Sequence, residues 1–336
     1  MRTFQAVKRA LPRLGLLLLL AACGSRTGLF GTEPLGSTPG TDGGTEGGVR
    51  DGGPLVDGQV PDALPPIDAT PRPDANRVDC PDAEATYVYL ISADYELLSF
   101  DPATGNVKTI GNIACPAVPE ATPFSMAVDR KGVAYILFSN QTGGPGSNPP
   151  DDGRLFRVST ATAACIGTSF VPNQLGFRRF GMGFATNDIG PTEALFVAGS
   201  EQANGAEGLG RIDVSSFVLS KVANFNPVIH NAELTGTGDG RLFGLYTKNT
   251  NNDPPTYIGE INTTTGAIVG EKRFDDVDLG NGWAFAFWGG DFYMFTAPSG
   301  STEITRWRPS NDTTQVIASL PNRIVGAGVS TCAPQQ

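Results

Sequence analysis

Trp283-Ala284-Phe285-Ala286-Phe287-Trp288 alternates large aromatic residues with alanine over six positions. Strict alternation is the signature of a β-strand, whose successive side chains point to opposite faces. Four other passages are built alike around one small residue: Met126-Ala127-Val128, Met182-Gly183-Phe184, Thr235-Gly236-Thr237 and Ala327-Gly328-Val329. The central residues Ala127, Gly183, Gly236, Ala286 and Gly328 recur about every 42 to 56 residues, a spacing that marks a repeat architecture. A small residue on one face lets neighbouring backbones come close.

Each of these strands belongs to a longer unit. The third strand of every unit ends in a large apolar residue followed by a turn: Phe100-Asp101, Val158-Ser159, Ile212-Asp213, Ile261-Asn262 and Trp307-Arg308. Two turns are nearly the same string, Asp101-Pro102-Ala103-Thr104-Gly105 and Asn262-Thr263-Thr264-Thr265-Gly266. Asp or Asn bonds locally to the turn backbone, and Gly tolerates a positive φ. The unit reads inner strand, second strand, third strand, turn, outer strand. Residues after Cys80 alternate aromatic and β-branched types between Gly, Asn, Asp and Pro, which predicts many short strands and hardly any helix.

A four-stranded unit repeated five times resembles the blades of β-propeller proteins, and the resemblance covers residues 80–334. It implies an all-β, five-bladed β-propeller in one domain. No blade carries a family tag such as a Trp-Asp ending. The first unit has strands at Thr86 to Ile91, Tyr95 to Phe100 and Val107 to Ile110 but no inner strand. Ile324 to Ser330 is an inner strand with nothing after it. By the propeller resemblance, the C-terminal strand completes the first blade and closes the ring.

Apart from Cys23, four cysteines remain, Cys80, Cys115, Cys165 and Cys332. An even number in an exported chain implies two disulfides, for which three pairings exist. Ring closure would bring Cys80 beside Cys332, leaving Cys115 to Cys165. That second bond has an awkward register, because Cys115 follows one outer strand and Cys165 starts the next.

On the propeller resemblance, inner-strand beginnings and the loops between second and third strands share one face. Those loops are long here: Ser139 to Gly153, Gly199 to Gly208 and Thr247 to Thr256. Long polar loops over a rigid scaffold are where binding tends to sit. Around the channel mouth this arrangement places Glu120, Arg178, Arg179, His230, Asn231, Glu233, Asn281, Trp283, Asn322 and Arg323. Glu233 takes the position held by Phe124, Phe180, Trp283 and Val325 in the other blades. A carboxylate there needs a partner, either Arg179 or an ion.

No catalytic constellation is visible. His230 is the only histidine, which removes a His-based metal cluster, and no nucleophile elbow is present. No cofactor is expected. Calcium is the one candidate cation, through oxygens of Asp151, Asp152, Asn251, Asn252 and Asp253, although these lack an ordered ligand spacing. Asp129, Asp239 and Asp291 fall in the first hairpin turns, on the opposite face. A binding or scaffolding module is the first reading. The alternative is a lactonase-like propeller hydrolase, whose resemblance implies a divalent cation at the mouth on Glu233, Asn231, Asn281 and Glu120.

The chain starts with Arg2, Lys8, Arg9 and Arg13, then the apolar run Leu14 to Leu20 and Leu20-Ala21-Ala22-Cys23. That is an export signal, too short for the roughly 18 to 20 apolar residues of a membrane-spanning helix. Its end resembles the lipobox of bacterial lipoproteins. The resemblance implies cleavage after residue 22 and diacylation of Cys23, palmitate-type chains then anchoring the protein in a bilayer. Gly24 and Ser25 lack the acidic residue that marks inner-membrane retention, so the expected location is the outer membrane.

Residues 23–79 are rich in Gly, Pro, Asp and Thr, with no hydrophobic period. They read as a disordered tether. Removing the signal takes away four basic residues and no acidic one, leaving 34 acidic against 20 basic, a net of −14. Such a surface repels phosphate backbones, so nucleic acid is not an expected partner. The expected partners are the bilayer, through Cys23, and a protein or glycan at the mouth.

Overall fold

A computed structural model describes residues 64–68, 80, 87–140, 153–187, 192–199 and 208–336. Cys23, the rest of residues 1–79, Asp151, Asp152 and the middles of the loops after Ser139 and Gly199 lie outside them. Among the described residues, no helix is long and apolar enough to cross a membrane.

The protein is a five-bladed β-propeller, as the repeat predicts. The first blade holds β1 (Val88–Ser92), β2 (Glu96–Asp101) and β3 (Asn106–Asn112). The second is β4 (Thr122–Val128), β5 (Val133–Ser139), β6 (Arg154–Ser159) and β7 (Cys165–Gly167). The third is β8 (Phe180–Thr186), β9 (Glu193–Gly199), β10 (Leu209–Asp213) and β11 (Val218–Ala223). The fourth is β12 (His230–Gly236), β13 (Leu242–Thr247), β14 (Thr256–Ile261) and β15 (Ile268–Phe274). The fifth is β16 (Trp283–Trp288), β17 (Asp291–Thr296), β18 (Thr302–Arg308) and β19 (Thr313–Leu320), with one 3-10 turn at Pro309–Asn311.

The last strand, β20 (Ile324–Val329), is the inner strand of the first blade, whose order is β20-β1-β2-β3. Val88 stands opposite Val329 and Leu90 opposite Ala327. The ring therefore closes within one sheet by an antiparallel ladder, and no edge is left open at the junction. Cys80 and Cys332 form a disulfide across that junction. Cys115 and Cys165 form the second, with Cα atoms 5.1 Å apart. The awkward register resolves because the end of the first outer strand lies beside the turn leading into the second: a Cβ on Gly111 would lie 3.4 Å from the Cβ of Ala163.

The core consists of five apolar layers between adjacent blades, not one centre. The residues preceding the third-strand turns, Phe100, Val158, Ile212, Ile261 and Trp307, all fill these layers and are at most 4% exposed. Phe100 meets Tyr293 and Phe295 of the fifth blade edge-on, with centroids 5.6 and 5.8 Å away. Contacts of this kind are worth about 0.5 to 1.5 kcal/mol beyond area burial. Phe285 and Phe287 lie in the layer between the fourth and fifth blades with Phe243, Phe292 and Trp307. The opening aromatic run is packing, except at its first residue.

The turns behave as their residues predict. Asp101 Oδ1 accepts the Ala103 N–H, and Asn262 Oδ1 accepts those of Thr264 and Thr265. Gly105 and Gly266 take φ of 74° and 69°. Asp129 Oδ1 accepts the N–H groups of Lys131 and Val133.

Five residues of the expected tether are docked on the domain. The Pro65 carbonyl accepts the Glu271 N–H at 2.8 Å, and Arg241 Nη2 donates to the Asp68 carbonyl. Ile67 is buried in the layer between the fourth and fifth blades. Residues 64–68 therefore cover the outer edge of β15, an otherwise open row of backbone donors and acceptors.

Candidate functional site

The inner strands lie unusually close together at their middles. A Cβ on Gly236 would sit 2.1 Å from the Phe184 carbonyl oxygen, and one on Gly183 would sit 2.9 Å from Leu234 backbone. Only a hydrogen fits there. Ala127, Met182, Gly183, Leu234, Gly236, Ala327 and Gly328 consequently close the ring axis and leave no room for a water molecule. The channel is blind.

Above that plug, at the inner-strand beginnings, a cavity of about 280 Å³ opens to one side. All five blades contribute: Pro123 and Phe124 from the second, Arg179 from the third, and Asn231, Glu233 and Asn252 from the fourth. Asn281 and Trp283 come with the fifth, and Val325 with the first. Phe124, Glu233, Trp283 and Val325 hold equivalent positions, three residues before the central small residue. Phe180, the fifth equivalent, turns into the core against Phe170, and Arg179 takes its place.

β-Bulges bring several of these side chains inward. The ladder slips between Pro123 and Ser125 in β4, between His230 and Glu233 in β12, and opposite Ile91–Ser92 in β20. A bulge inserts one residue and re-aims those beside it. In β12 it is accompanied by Asn231 in the left-handed region, φ 54°.

Glu233 is 4% exposed, and its Oε2 accepts the Ser125 hydroxyl at 2.7 Å. Burial holds its carboxyl well above the usual carboxylate range, while the Ser125 hydroxyl and the Met182 N–H pull the other way. The partner expected for it was Arg179 or an ion. The hydroxyl of Ser125 occupies that role. Ser125 is a polar residue in the middle of an inner strand, between Phe124 and Met126, a signal visible in the sequence but passed over.

Trp283 Nε1 donates to the Asn231 carbonyl at 3.0 Å, which fixes the indole at the rim. The Asn231 side-chain amide donates to Asn252 Oδ1, so the loop Thr247 to Thr256 does reach the mouth. Of the expected mouth residues, the structure brings Arg179, Asn231, Glu233, Asn281 and Trp283 together. Glu120, His230 and Arg323 do not line the cavity. Glu120 is exposed in a loop, with φ of 68°. His230 faces Thr247 across the ladder; its Nδ1 is buried with no hydrogen-bond partner among the described residues, and burial lowers its pKa. Arg323 is exposed, its aliphatic stem close against Gly282.

No protein-family model matches the sequence, and no curated protein matches it. Among solved structures the chain is similar to one in a crystal structure of a nidogen/laminin complex. Identity is 11% and the TM-score 0.44, over 74% of this chain and 99% of that one. It is also similar to TolB from Acinetobacter baumannii, at 14% identity and a TM-score of 0.38. That match covers 69% of this chain and 52% of TolB, so the chain spans about half the TolB length. The chemistry of the site is therefore read from its own residues.

Among the described residues, no group of three or more His, Cys, Asp or Glu side chains is placed to hold a metal ion. Among the described residues Glu233 is the one carboxyl lining the mouth, and burial favours its protonated form, a poorer cation ligand than a carboxylate. Of the four residues named for a divalent cation, Glu233, Asn231 and Asn281 line the mouth and Glu120 does not.

At the opposite ends of the inner strands lies a second feature the sequence reading missed. Glu193 Oε1 accepts the Arg130 N–H and its Oε2 accepts the Thr331 hydroxyl, both at 2.8 Å. The carboxyl joins the third blade to the second and to the segment after β20. Burial pushes it up to about 7, with nearby Asp129 adding in the same sense.

Proposed function

We propose that the protein is a lipid-anchored component of the bacterial cell envelope, held in the outer membrane through acylated Cys23. On this reading the propeller is a binding or scaffolding module. The observation that carries the binding reading is the blind cavity to which all five blades contribute a side chain. A concave site with an aromatic wall and a few convergent polar groups is the usual form of a ligand site. Asn231, Trp283 and Asn252 are linked by hydrogen bonds, so the rim is preorganised. Anchorage is supported by Leu20-Ala21-Ala22-Cys23 behind a basic, apolar leader.

Two experiments test this. Cells fed labelled palmitate should label the full-length protein, and Cys23→Ser should lose both the label and sedimentation with outer membranes. An unlabelled wild-type protein defeats the anchoring reading. Tagged full-length protein should capture a partner from envelope extract, with and without calcium, and Glu233→Ala or Trp283→Ala should lose it. Capture that ignores both substitutions places binding elsewhere.

A further inference from the structure

We propose that the mouth cavity is a saccharide site that takes one neutral sugar ring, as at the end of a glycan, with its apolar face on Trp283. The proposal deepens the mouth-binding reading above and rests on it. The cavity, about 280 Å³, lies at the lower end of the range for small-molecule pockets, which suits a single ring better than an extended peptide. Its lining combines apolar surface from Trp283, Phe124 and Val325 with side-chain amides from Asn231, Asn252 and Asn281.

A pyranose has the matching composition, an apolar C–H face and an equatorial rim of hydroxyls. Each hydroxyl is both donor and acceptor, and a side-chain amide offers one of each. The Asn231–Asn252 bond fixes the orientation of two amides, and the indole N–H is spent on the Asn231 carbonyl. The ring face of Trp283, not its polar edge, is what remains to offer a ligand.

Charge argues against the other small ligands. Glu233 is buried and already accepts the Ser125 hydroxyl, and burial favours its uncharged form, so it is poorly suited to receive an amine or a cation. Arg179 already interacts within the protein, so it is not an idle anion receptor. A neutral polyhydroxylated ligand is the class that meets all of these groups without burying an unpaired charge.

The test is titration calorimetry of the full-length protein, purified in a detergent without a sugar head. The probes are glucose, galactose, N-acetylglucosamine, anionic glucuronate and cationic glucosamine. At least one neutral sugar should bind more tightly than both charged ones. Trp283→Ala should weaken it about tenfold or more, as for loss of an aromatic anchor, and Trp283→Phe should retain most of it.

Thermal melts verify that each variant is folded. Preference for glucuronate or glucosamine, or binding indifferent to Trp283→Ala, overturns the proposal. If no sugar binds while the envelope capture still depends on Trp283, the saccharide class is wrong and the binding mouth stands. If neither occurs, both fail.

Discussion

Ser125 and Glu233 bond to each other at 2.7 Å although they belong to the second and fourth blades. The inner strand of the third blade passes beside them, and its Met182 N–H donates to the same Ser125 oxygen at 3.2 Å. One hydroxyl thus joins three blades at the floor of the mouth. Ser125→Ala would leave a buried N–H and a buried carboxyl without that partner. The expected loss is about 2 to 3 kcal/mol in denaturant unfolding. A loss within the usual range for a surface change would show that the hydroxyl is not a bridge.

Glu193 and Glu233 give stability a definite pH dependence. Below the ordinary glutamate value of 4.5 both states hold the proton. Between there and about 7 the unfolded chain releases a proton that folded Glu193 keeps, so stability falls as pH rises, and above about 7 the loss is complete. The shift corresponds to at most about 3 kcal/mol. Glu233 acts with the same sign. Glu193→Gln should flatten unfolding free energies measured between pH 5 and pH 8, stabilising the protein at the upper end. An unaltered slope would refute the assignment.

Glycine at the ring axis is a steric requirement. Gly236→Ala drives its Cβ to 2.1 Å from a backbone oxygen that cannot rotate away, and should prevent folding or cost more than about 3 kcal/mol. Gly167→Ala, where nothing lies within 4 Å and no positive φ is required, should be neutral. Parallel melting curves decide, and equal effects would contradict the close approach.

The two disulfides should differ in value. In the chain-entropy account the Cys80–Cys332 bond, with a separation of 252 residues, contributes about 5 kcal/mol, and Cys115–Cys165, with 50, about 4. Cys80→Ser with Cys332→Ser should therefore lower the denaturation midpoint more than Cys115→Ser with Cys165→Ser. The reverse order would mean that β20 holds the closure without help.

Ile67 tests the docked segment. Ile67→Ser should cost about 2 kcal/mol, the value of burying such a side chain. It should also make residues 64–68 more accessible to limited proteolysis. Equal cleavage of both proteins would place Ile67 outside the stabilising contacts.

Much of the fold was legible because the sequence itself carries its constraints. Ala127, Gly183, Gly236, Ala286 and Gly328 are small because backbones touch there, and Asp101 and Asn262 precede Gly because the turn demands both. The Cys80–Cys332 disulfide followed from the ring, and Cys115–Cys165 only by elimination. The mouth was half legible. Trp283 and Glu233 stand out by type, yet the bulges that aim them come from ladder register, which no local pattern encodes. The Glu233 partner was missed because Ser125 lies 108 residues away. Leu64 and Ile67 looked like scattered aliphatics because two apolar residues make no period. Glu193 was missed because its burial comes from three segments distant in sequence.

The pairing of β20 with β1 also sets an order of events during synthesis. A chain made from its N-terminus displays β1 early, as an edge with its hydrogen-bonding groups unmatched, and supplies the strand that matches it last of all. The first blade begun is the last finished. Until residue 329 has emerged, that edge is a template for any passing strand, and the nascent protein is exposed to mispairing from the completion of β1 until almost the end of its production.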